Sequence, residues 1–140
     1  MTPRHKKILE IARSLIGTPY KYAVPTEETP RFLDCSSFTQ YVYKQIGIEI
    51  PRSTILQATL GKEITDLKNL EPGDLILHRG SKGHYNDELF PGKHIYIGHI
   101  TLYTGGDKVI HSTSKNGVME ENLETVLISH GPVVLIKRII

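Results

Sequence analysis

The chain contains one cysteine, Cys35, in the stretch Asp34-Cys35-Ser36-Ser37-Phe38. Apolar residues follow at helical spacing, which predicts a helix from Cys35 to about Ile46. Asp34 is a favourable N-cap residue, so Cys35 falls in the first helical turn. Free backbone N–H groups and the positive end of the helix dipole favour the thiolate there, which is the nucleophilic form of cysteine. The charge of Asp34 opposes this effect, and a cationic histidine nearby would restore it.

His99 and His111 are the histidines that could serve this cysteine, because both fall in predicted strands of one hairpin. A three-residue loop over 104–106 would pair His99 directly with His111. Directly opposed side chains have Cβ atoms roughly 5 Å apart, so the two imidazoles are expected within hydrogen-bond reach. A four-residue loop would shift the register by one residue and separate them.

A nucleophilic cysteine needs a base to take its proton, and the base needs a third group to fix its tautomer. Cys35, His99 and His111 supply these three parts. A neutral His111 orients less strongly than a carboxylate, but it can still accept a hydrogen bond from the His99 ring. Taken singly, each residue has a structural alternative: Cys35 as a buried small side chain and His99 as a half-buried histidine.

A metal site is the competing interpretation of the histidines, with His84, His94 and His99 as its members. His94 and His99 are five residues apart, which places them on opposite faces of a regular strand. The chain has no His-Glu-x-x-His pattern and no cysteine pair. We therefore predict no metal and no cofactor.

The elements that must position these residues change from helices to strands along the chain. Helices are predicted over 2–16, 35–46 and 53–60, and strands over 75–77, 94–103, 109–112, 117–119 and 133–139. Segments 18–33 and 80–93 are expected to be loops. Helices followed by strands, without βαβ alternation, indicate an α+β fold with helices packed on an antiparallel sheet.

Composition and charge narrow the functional class. A chain of 140 residues with 39% hydrophobic residues is expected to form a single domain over 1–140. The net charge of +2 is too small to indicate nucleic-acid binding, and one cysteine excludes an internal disulfide. No apolar run is long enough for a membrane span, and no signal peptide is visible. The compartment (cytoplasmic, or secreted by a route not encoded here) and the oligomeric state stay open.

Five segments occur in an order that resembles the motifs of the NlpC/P60 family, which are papain-like cysteine peptidases of the cell wall. They are Asp34-Cys35-Ser36-Ser37-Phe38, Ile50-Pro51-Arg52-Ser53 with Gln57, Leu70-Glu71-Pro72-Gly73-Asp74-Leu75, His99-Ile100-Thr101-Leu102-Tyr103-Thr104-Gly105 and Ile110-His111-Ser112. The resemblance extends from about Ile8 to Leu127. It implies a papain-like α+β fold.

The same resemblance implies roles for individual residues. Cys35 would be the nucleophile, His99 the base and His111 the third polar residue, with Tyr20 near the oxyanion site. The implied substrate is a peptidoglycan stem peptide or muropeptide, cleaved at a bond that involves γ-D-glutamate. No cofactor is implied.

Four further residues of these motifs are candidates for substrate binding: Asp34, Ser36, Arg52 and Ser53. Each also has a purely structural interpretation. Asp34 and Ser36 could cap the Cys35 helix, Ser53 could cap the next helix, and Arg52 could lie on the surface.

The chain departs from the family pattern around the expected substrate pocket. Ser37 and Thr101 stand where the family usually has glycine, Ala23-Val24 replaces a Gly-Gly pair, and the loop 79–97 is longer. These departures leave two other functions open. One is an acyltransferase or amidase that acts on a substrate outside the wall, and the other is a peptide-binding module with an inactive cleft.

Overall fold

Four α-helices and eight β-strands form the chain in the computed structural model, which describes residues 1–140. The helices are α1 (Pro3–Ser14), α2 (Cys35–Lys44), α3 (Thr54–Gln57) and α4 (Leu123–Ser129). The strands are β1 (Lys62–Glu63), β2 (Leu75–His78), β3 (His84–Tyr85), β4 (Tyr96–Ile97), β5 (His99–Gly105), β6 (Lys108–Thr113), β7 (Gly117–Asn122) and β8 (Val133–Arg138). No helix has both the length and the apolar character that a membrane crossing needs.

A six-stranded sheet in the order β1-β8-β2-β5-β6-β7 occupies the centre of the fold. Every strand pair in it is antiparallel. Strands β3 and β4 form a separate two-stranded ribbon. The arrangement confirms the predicted α+β class.

The two faces of the sheet bury different apolar clusters. Ile100 and Leu102 face α2 and belong to the main core with Phe38 and Val42. On the opposite face, a smaller cluster joins the sheet to α4 and contains Ile76, Tyr103, Val109, Leu123 and Val126. This two-sided packing follows from the period-two alternation of β5 and β6.

Several predicted bounds were wrong. The third helix is four residues long, and α4 and β1 were not predicted. Strand β3 lies in the segment 80–93, which was predicted to be a loop. The strand predicted over 94–103 is two strands, β4 and β5, separated by Gly98. Gly98 lies against another loop so closely that a Cβ there would be 2.7 Å from the Arg79 carbonyl oxygen. This backbone crossing depends on tertiary contacts, so strand alternation alone does not reveal it.

The β5–β6 hairpin has a different register from the predicted one. Leu102 pairs with Ile110, and the turn consists of Gly106 and Asp107, both with φ of +59°. Two positive φ values define the tight type I′ turn of hairpins. The turn lies further along the chain than the predicted loop, and a bulge at Thr104 shifts the pairing back by one residue, so the register differs by two residues from the predicted pairing. A shift of two keeps each side chain on its predicted face.

The ends of β5 and β6 diverge next to the start of α2. Their pairing stops at Leu102–Ile110, although β5 stays paired with β2 as far as His99 and β6 with β7 as far as Thr113. The segment before α2 lies at this opening, where Ser112 Oγ donates a hydrogen bond to the Leu33 carbonyl at 2.8 Å. The first turn of α2 is thereby held between two strand ends.

Candidate active site

Cys35 is the first residue of α2, as the sequence predicted. Asp34 Oδ1 accepts a hydrogen bond from the Ser37 amide at 2.9 Å, and Ser37 Oγ accepts one from the Asp34 amide at 2.8 Å. This reciprocal capping box fixes where the helix begins. The Cys35 side chain is half-buried, with its sulfur 3.6 Å from Thr54 Oγ1.

The thiol of Cys35 is less acidic than the helix position alone predicts. Burial raises its pKa, and the charge of Asp34 raises it further. Hydrogen bonds from Thr54 and from the Ile100 and Ser36 amides act in the opposite direction and do not compensate. The balance between the helix terminus and the charge of Asp34, which the sequence left open, therefore favours the neutral thiol, because desolvation outweighs the helix terminus here.

Arg52 binds both residues that flank the cysteine. Its guanidinium donates to Asp34 Oδ2 at 2.7 Å, to Ser36 Oγ at 2.8 Å and to the Val24 carbonyl at 3.1 Å. Burial alone would raise the pKa of Asp34, but hydrogen bonds from Arg52 and Ser37 bring it below its usual value. Arg52 therefore does more than lie on the surface, and Asp34 caps the helix and forms an ion pair at once.

Ser53 and Gln57 hold α3 beside the cysteine. Ser53 Oγ caps α3 by accepting from the Leu56 amide at 3.3 Å. The fully buried Gln57 donates to the Ser36 carbonyl at 2.9 Å and to the Pro51 carbonyl at 2.8 Å. These contacts place Thr54, the hydrogen-bond partner of the thiol, on the adjoining helix.

Tyr20 lies beside the segment that precedes the cysteine. It forms an isolated parallel bridge with Leu33 and is half-buried. Burial raises the pKa of its hydroxyl, and the nearby Cys35 and Asp34 raise it further. Tyr20 is thus a neutral hydroxyl close to the thiol.

His99 and His111 are joined by a hydrogen bond between Nε2 of His99 and Nδ1 of His111, at 2.8 Å. The predicted contact is therefore confirmed, although the predicted direct pairing was wrong. Continuing the observed register would place Thr101 opposite His111, so the two imidazoles meet diagonally. Diagonal neighbours remain within reach of long side chains.

Glu121 completes this arrangement, and the sequence reasoning missed it. Its Oε2 accepts from Nε2 of His111, and the His111 side chain is fully buried. Strand β7 was predicted to end at Met119, so Glu121 was not considered as part of the sheet. Once β7 is extended, Met119 pairs with His111, and Glu121 follows two residues later on the same face.

The carboxylate fixes the tautomers of both histidines. A carboxylate only accepts, so His111 carries its proton on Nε2 and presents a bare Nδ1. His99 then donates its Nε2 proton to His111, which leaves Nδ1 of His99 as its proton acceptor. The network thus produces an imidazole in which one nitrogen is available as a base.

Two more imidazoles surround His99. His130 stacks on it with ring centroids 4.1 Å apart, and the buried His78 lies 6.0 Å away. Burial lowers the pKa of all four histidines, and it lowers that of His78 to about 4. The pKa of His99 lies well below its ordinary value, because positive charge on His111, His130 or His78 would also oppose its protonation. Each is therefore neutral at neutral pH, which the tautomer assignment requires.

The histidines that come close enough to suggest a metal are His99, His111 and His130, with ligand atoms within 4.8 Å of one another. They are not the three histidines of the competing metal interpretation, since His94 instead pairs with Asp87 and stacks on Tyr85. The rings of His99 and His130 lie only 20° from parallel, so their in-plane lone pairs do not converge on one point. The arrangement fits a hydrogen-bonded relay better than a coordination site.

The thiol lies on the side of β5 that faces α2. Cys35 packs against the main core, which contains Ile100, the residue next to His99 in sequence. No hydrogen bond joins Cys35 to the His99 ring in this arrangement. The structure therefore brings His99 together with His111 and places the thiol beside the same strand end.

Three of the departures from the family pattern have local explanations. Ser37 completes the capping box of α2, and Thr101 Oγ1 is hydrogen-bonded to Nε2 of His78 at 3.0 Å. Ala23 adopts a φ of +53°, which is the left-handed conformation that glycine accepts most readily. Ala23 therefore adopts the left-handed backbone conformation that a glycine would favour at this position.

The family model that describes the NlpC/P60 family matches residues 17–133. Over 93 residues the chain is 34% identical to murein DD-endopeptidase MepS/murein LD-carboxypeptidase of Escherichia coli, covering 65% of this chain and 42% of that protein. It is also 34% identical over 118 residues to γ-DL-glutamyl hydrolase of Bacillus subtilis, covering 82% of this chain and 25% of that protein. This chain belongs to the NlpC/P60 family and spans less than half the length of these two relatives.

Solved structures agree with this assignment. The NlpC/p60 domain of the peptidoglycan hydrolase SagA superposes with a TM-score of 0.73 at 27% identity, covering 96% of this chain and 98% of that one. The predicted papain-like fold of the NlpC/P60 type is thereby confirmed.

Proposed function

We propose that residues 1–140 form a single catalytic domain, a cysteine peptidase that hydrolyses peptidoglycan stem peptides. The observation that carries this proposal is the hydrogen-bonded pair of His99 and His111, beside Ile100 of the core against which Cys35 packs. A thiol and an imidazole with a fixed tautomer are the parts of a nucleophile and its base.

Proton transfer accompanies the attack in this proposal, because both partners are neutral at rest. His99 Nδ1 removes the thiol proton as the Cys35 sulfur attacks the substrate carbonyl carbon. Backbone amides at the start of α2, with the Tyr20 hydroxyl, stabilise the negative charge that develops on the oxygen. His99 then protonates the departing amine, and a water activated by the same imidazole hydrolyses the thioester.

The substrate class rests on the relatives. The E. coli relative is named for murein DD-endopeptidase and LD-carboxypeptidase activities, and the B. subtilis relative for γ-DL-glutamyl hydrolysis. We propose a γ-D-glutamyl bond of the stem peptide as the one cleaved. Asp34, Ser36, Arg52 and Ser53 border the cysteine and would contact or shape the bound peptide.

Digestion of purified muropeptides, followed by mass spectrometry, tests this function. The wild-type protein and Cys35→Ala are incubated with tripeptide, tetrapeptide and cross-linked muropeptides of known sequence. We expect fragments from the wild type alone, with masses that correspond to scission at γ-D-glutamate. Fragments from cleavage of the D,D cross-link would still support a peptidase, but they would show that a different bond is the one cleaved.

Two results would overturn the proposal. Equal cleavage by Cys35→Ala would exclude the cysteine mechanism. Intact muropeptides with the folded wild-type protein would exclude the substrate class.

Adding an excess of an acceptor amine distinguishes hydrolysis from acyl transfer, since a transferase would yield the amide product in place of the acid.

A further inference from the structure

We propose that Glu121 is a positioning residue that sets the tautomer of the His99–His111 pair. This inference rests on the proposed function, because it assigns Glu121 a part in making His99 a base. The side chain of Glu121 is hydrogen-bonded to His111 and not to Cys35, so it acts on the base through the His111 ring.

The geometry of the relay is continuous. Glu121 Oε2 contacts Nε2 of His111 at 2.5 Å, and Nδ1 of the same ring lies 2.8 Å from Nε2 of His99. The His111 side chain is fully buried, and the side chain of Glu121 is 17% exposed. Little water can therefore substitute for the carboxylate at His111.

A carboxylate is the group that makes the relay directional. It accepts and never donates, so it permits only the tautomer in which Nδ1 of His99 is bare. An amide in the same place could donate to His111 instead. That reversal would move the His111 proton to Nδ1, turn Nε2 of His99 into an acceptor and leave a proton on Nδ1 of His99, where the base is needed.

The carboxylate also contributes charge. Glu121 raises the pKa of His111 and of His130 against the larger effect of burial. When His99 takes a proton during the reaction, the nearest negative charge in the relay is Glu121. The other groups around the pair are neutral imidazoles, His78 on β2 and His130 after α4.

The substitution Glu121→Gln tests the proposal, because it preserves size while allowing both hydrogen-bond directions. Imidazole ¹⁵N NMR reports which ring nitrogen of His99 and His111 carries the proton. In the wild type we expect Nε2–H on both rings. In the variant we expect a second set of signals with Nδ1–H, and a decrease in kcat of roughly 10- to 100-fold with KM unchanged.

Glu120→Gln is the matched control, since it makes the same change one residue earlier on the opposite face of β7. Glu120 accepts from Thr104 Oγ1 at 2.8 Å and lies 3.7 Å from Arg13, with no contact to the histidines. It should keep the wild-type tautomers and kcat.

Unchanged tautomers in Glu121→Gln would overturn the proposal, and so would altered tautomers with wild-type kcat. If the wild type cleaves no muropeptide while the NMR signals still respond to Glu121→Gln, the proposed substrate fails and the structural control by Glu121 stands. The two failures are therefore distinguishable.

Discussion

His99 and His111 are hydrogen-bonded at 2.8 Å although they lie diagonally rather than opposite each other in the sheet. The turn at Gly106–Asp107 and the bulge at Thr104 together move the register by two residues from the predicted pairing, and the length of two imidazoles spans the diagonal. The contact occurs where β5 and β6 have already separated. Side chains therefore join the two strand ends at the point where backbone hydrogen bonds stop.

Replacing His111 should lower kcat without abolishing the reaction. His111→Leu removes the acceptor for Nε2 of His99, so the base loses its fixed tautomer, and we expect a decrease of about 100-fold. His111→Asn keeps an acceptor oxygen and should retain more activity than the leucine variant. Steady-state kinetics on muropeptides measure both, with near-UV circular dichroism to verify the fold. A leucine variant that equals the asparagine variant would contradict the orienting role.

Alkylation of Cys35 should require alkaline pH. Burial raises the pKa of the thiol, so the thiolate that reacts with iodoacetamide forms above the ordinary value of about 8.5. The labelling rate is measured by mass spectrometry from pH 5 to 10, and Cys35 is the single cysteine in the chain. We expect the midpoint above pH 8.5.

A control variant distinguishes the causes of this shift. Thr54→Val removes a hydrogen bond that lowers the thiol pKa, so its midpoint should move to still higher pH. A wild-type midpoint below pH 7 would instead reveal a thiolate already formed in the resting protein, and the concerted proton transfer would be wrong.

Arg52→Ala should destabilise the fold. It leaves the Asp34 carboxylate, 6% exposed, without its cationic partner, and we expect a loss of about 2 kcal/mol in the free energy of unfolding. Urea denaturation at pH 7 measures the loss. Because the folded protein lowers the pKa of Asp34, the ion pair stabilises above that pKa and ceases to do so as the pH falls through it.

The exposed Arg31, which has no ion pair, provides the comparison. Arg31→Ala should change the free energy of unfolding by less than about 0.5 kcal/mol. If the two variants unfold at the same urea concentration, Arg52 has no stabilising role at the start of α2.

Acid should destabilise the protein through its buried histidines. His78 is fully buried, bonded to Thr101 Oγ1 at 3.0 Å and to the Gly131 carbonyl at 3.2 Å, and burial lowers its pKa to about 4. The unfolded chain binds the proton near pH 6.5 and the folded chain only near 4, so stability falls as the pH drops through that window. The cost from His78 alone is about 3 kcal/mol.

The variant His78→Asn tests this source of pH dependence. Its free energy of unfolding, measured from pH 4 to 8, should depend less steeply on pH than that of the wild type. The difference between the two slopes should correspond to at most one bound proton. Identical slopes for the two proteins would show that His78 does not contribute.

The sequence determined the local features of the site. Asp34 and the apolar spacing after Cys35 specify where α2 begins, because capping and periodicity act within a few residues. Alternation along β5 assigned His99 to the correct face for the same reason. The ordered motifs identified the family, and with it the papain-like fold.

Tertiary structure decided what depends on distant segments meeting. The turn at Gly106–Asp107 and the bulge at Thr104 set the register of the histidines, and the length of β7 brought Glu121 to His111. Arg52 reached Asp34 across 18 residues, and desolvation decided the protonation state of the thiol, which the sequence had left open. Burial and long-range hydrogen bonds are properties of the packed chain, so local pattern could name the reacting groups but not their protonation states.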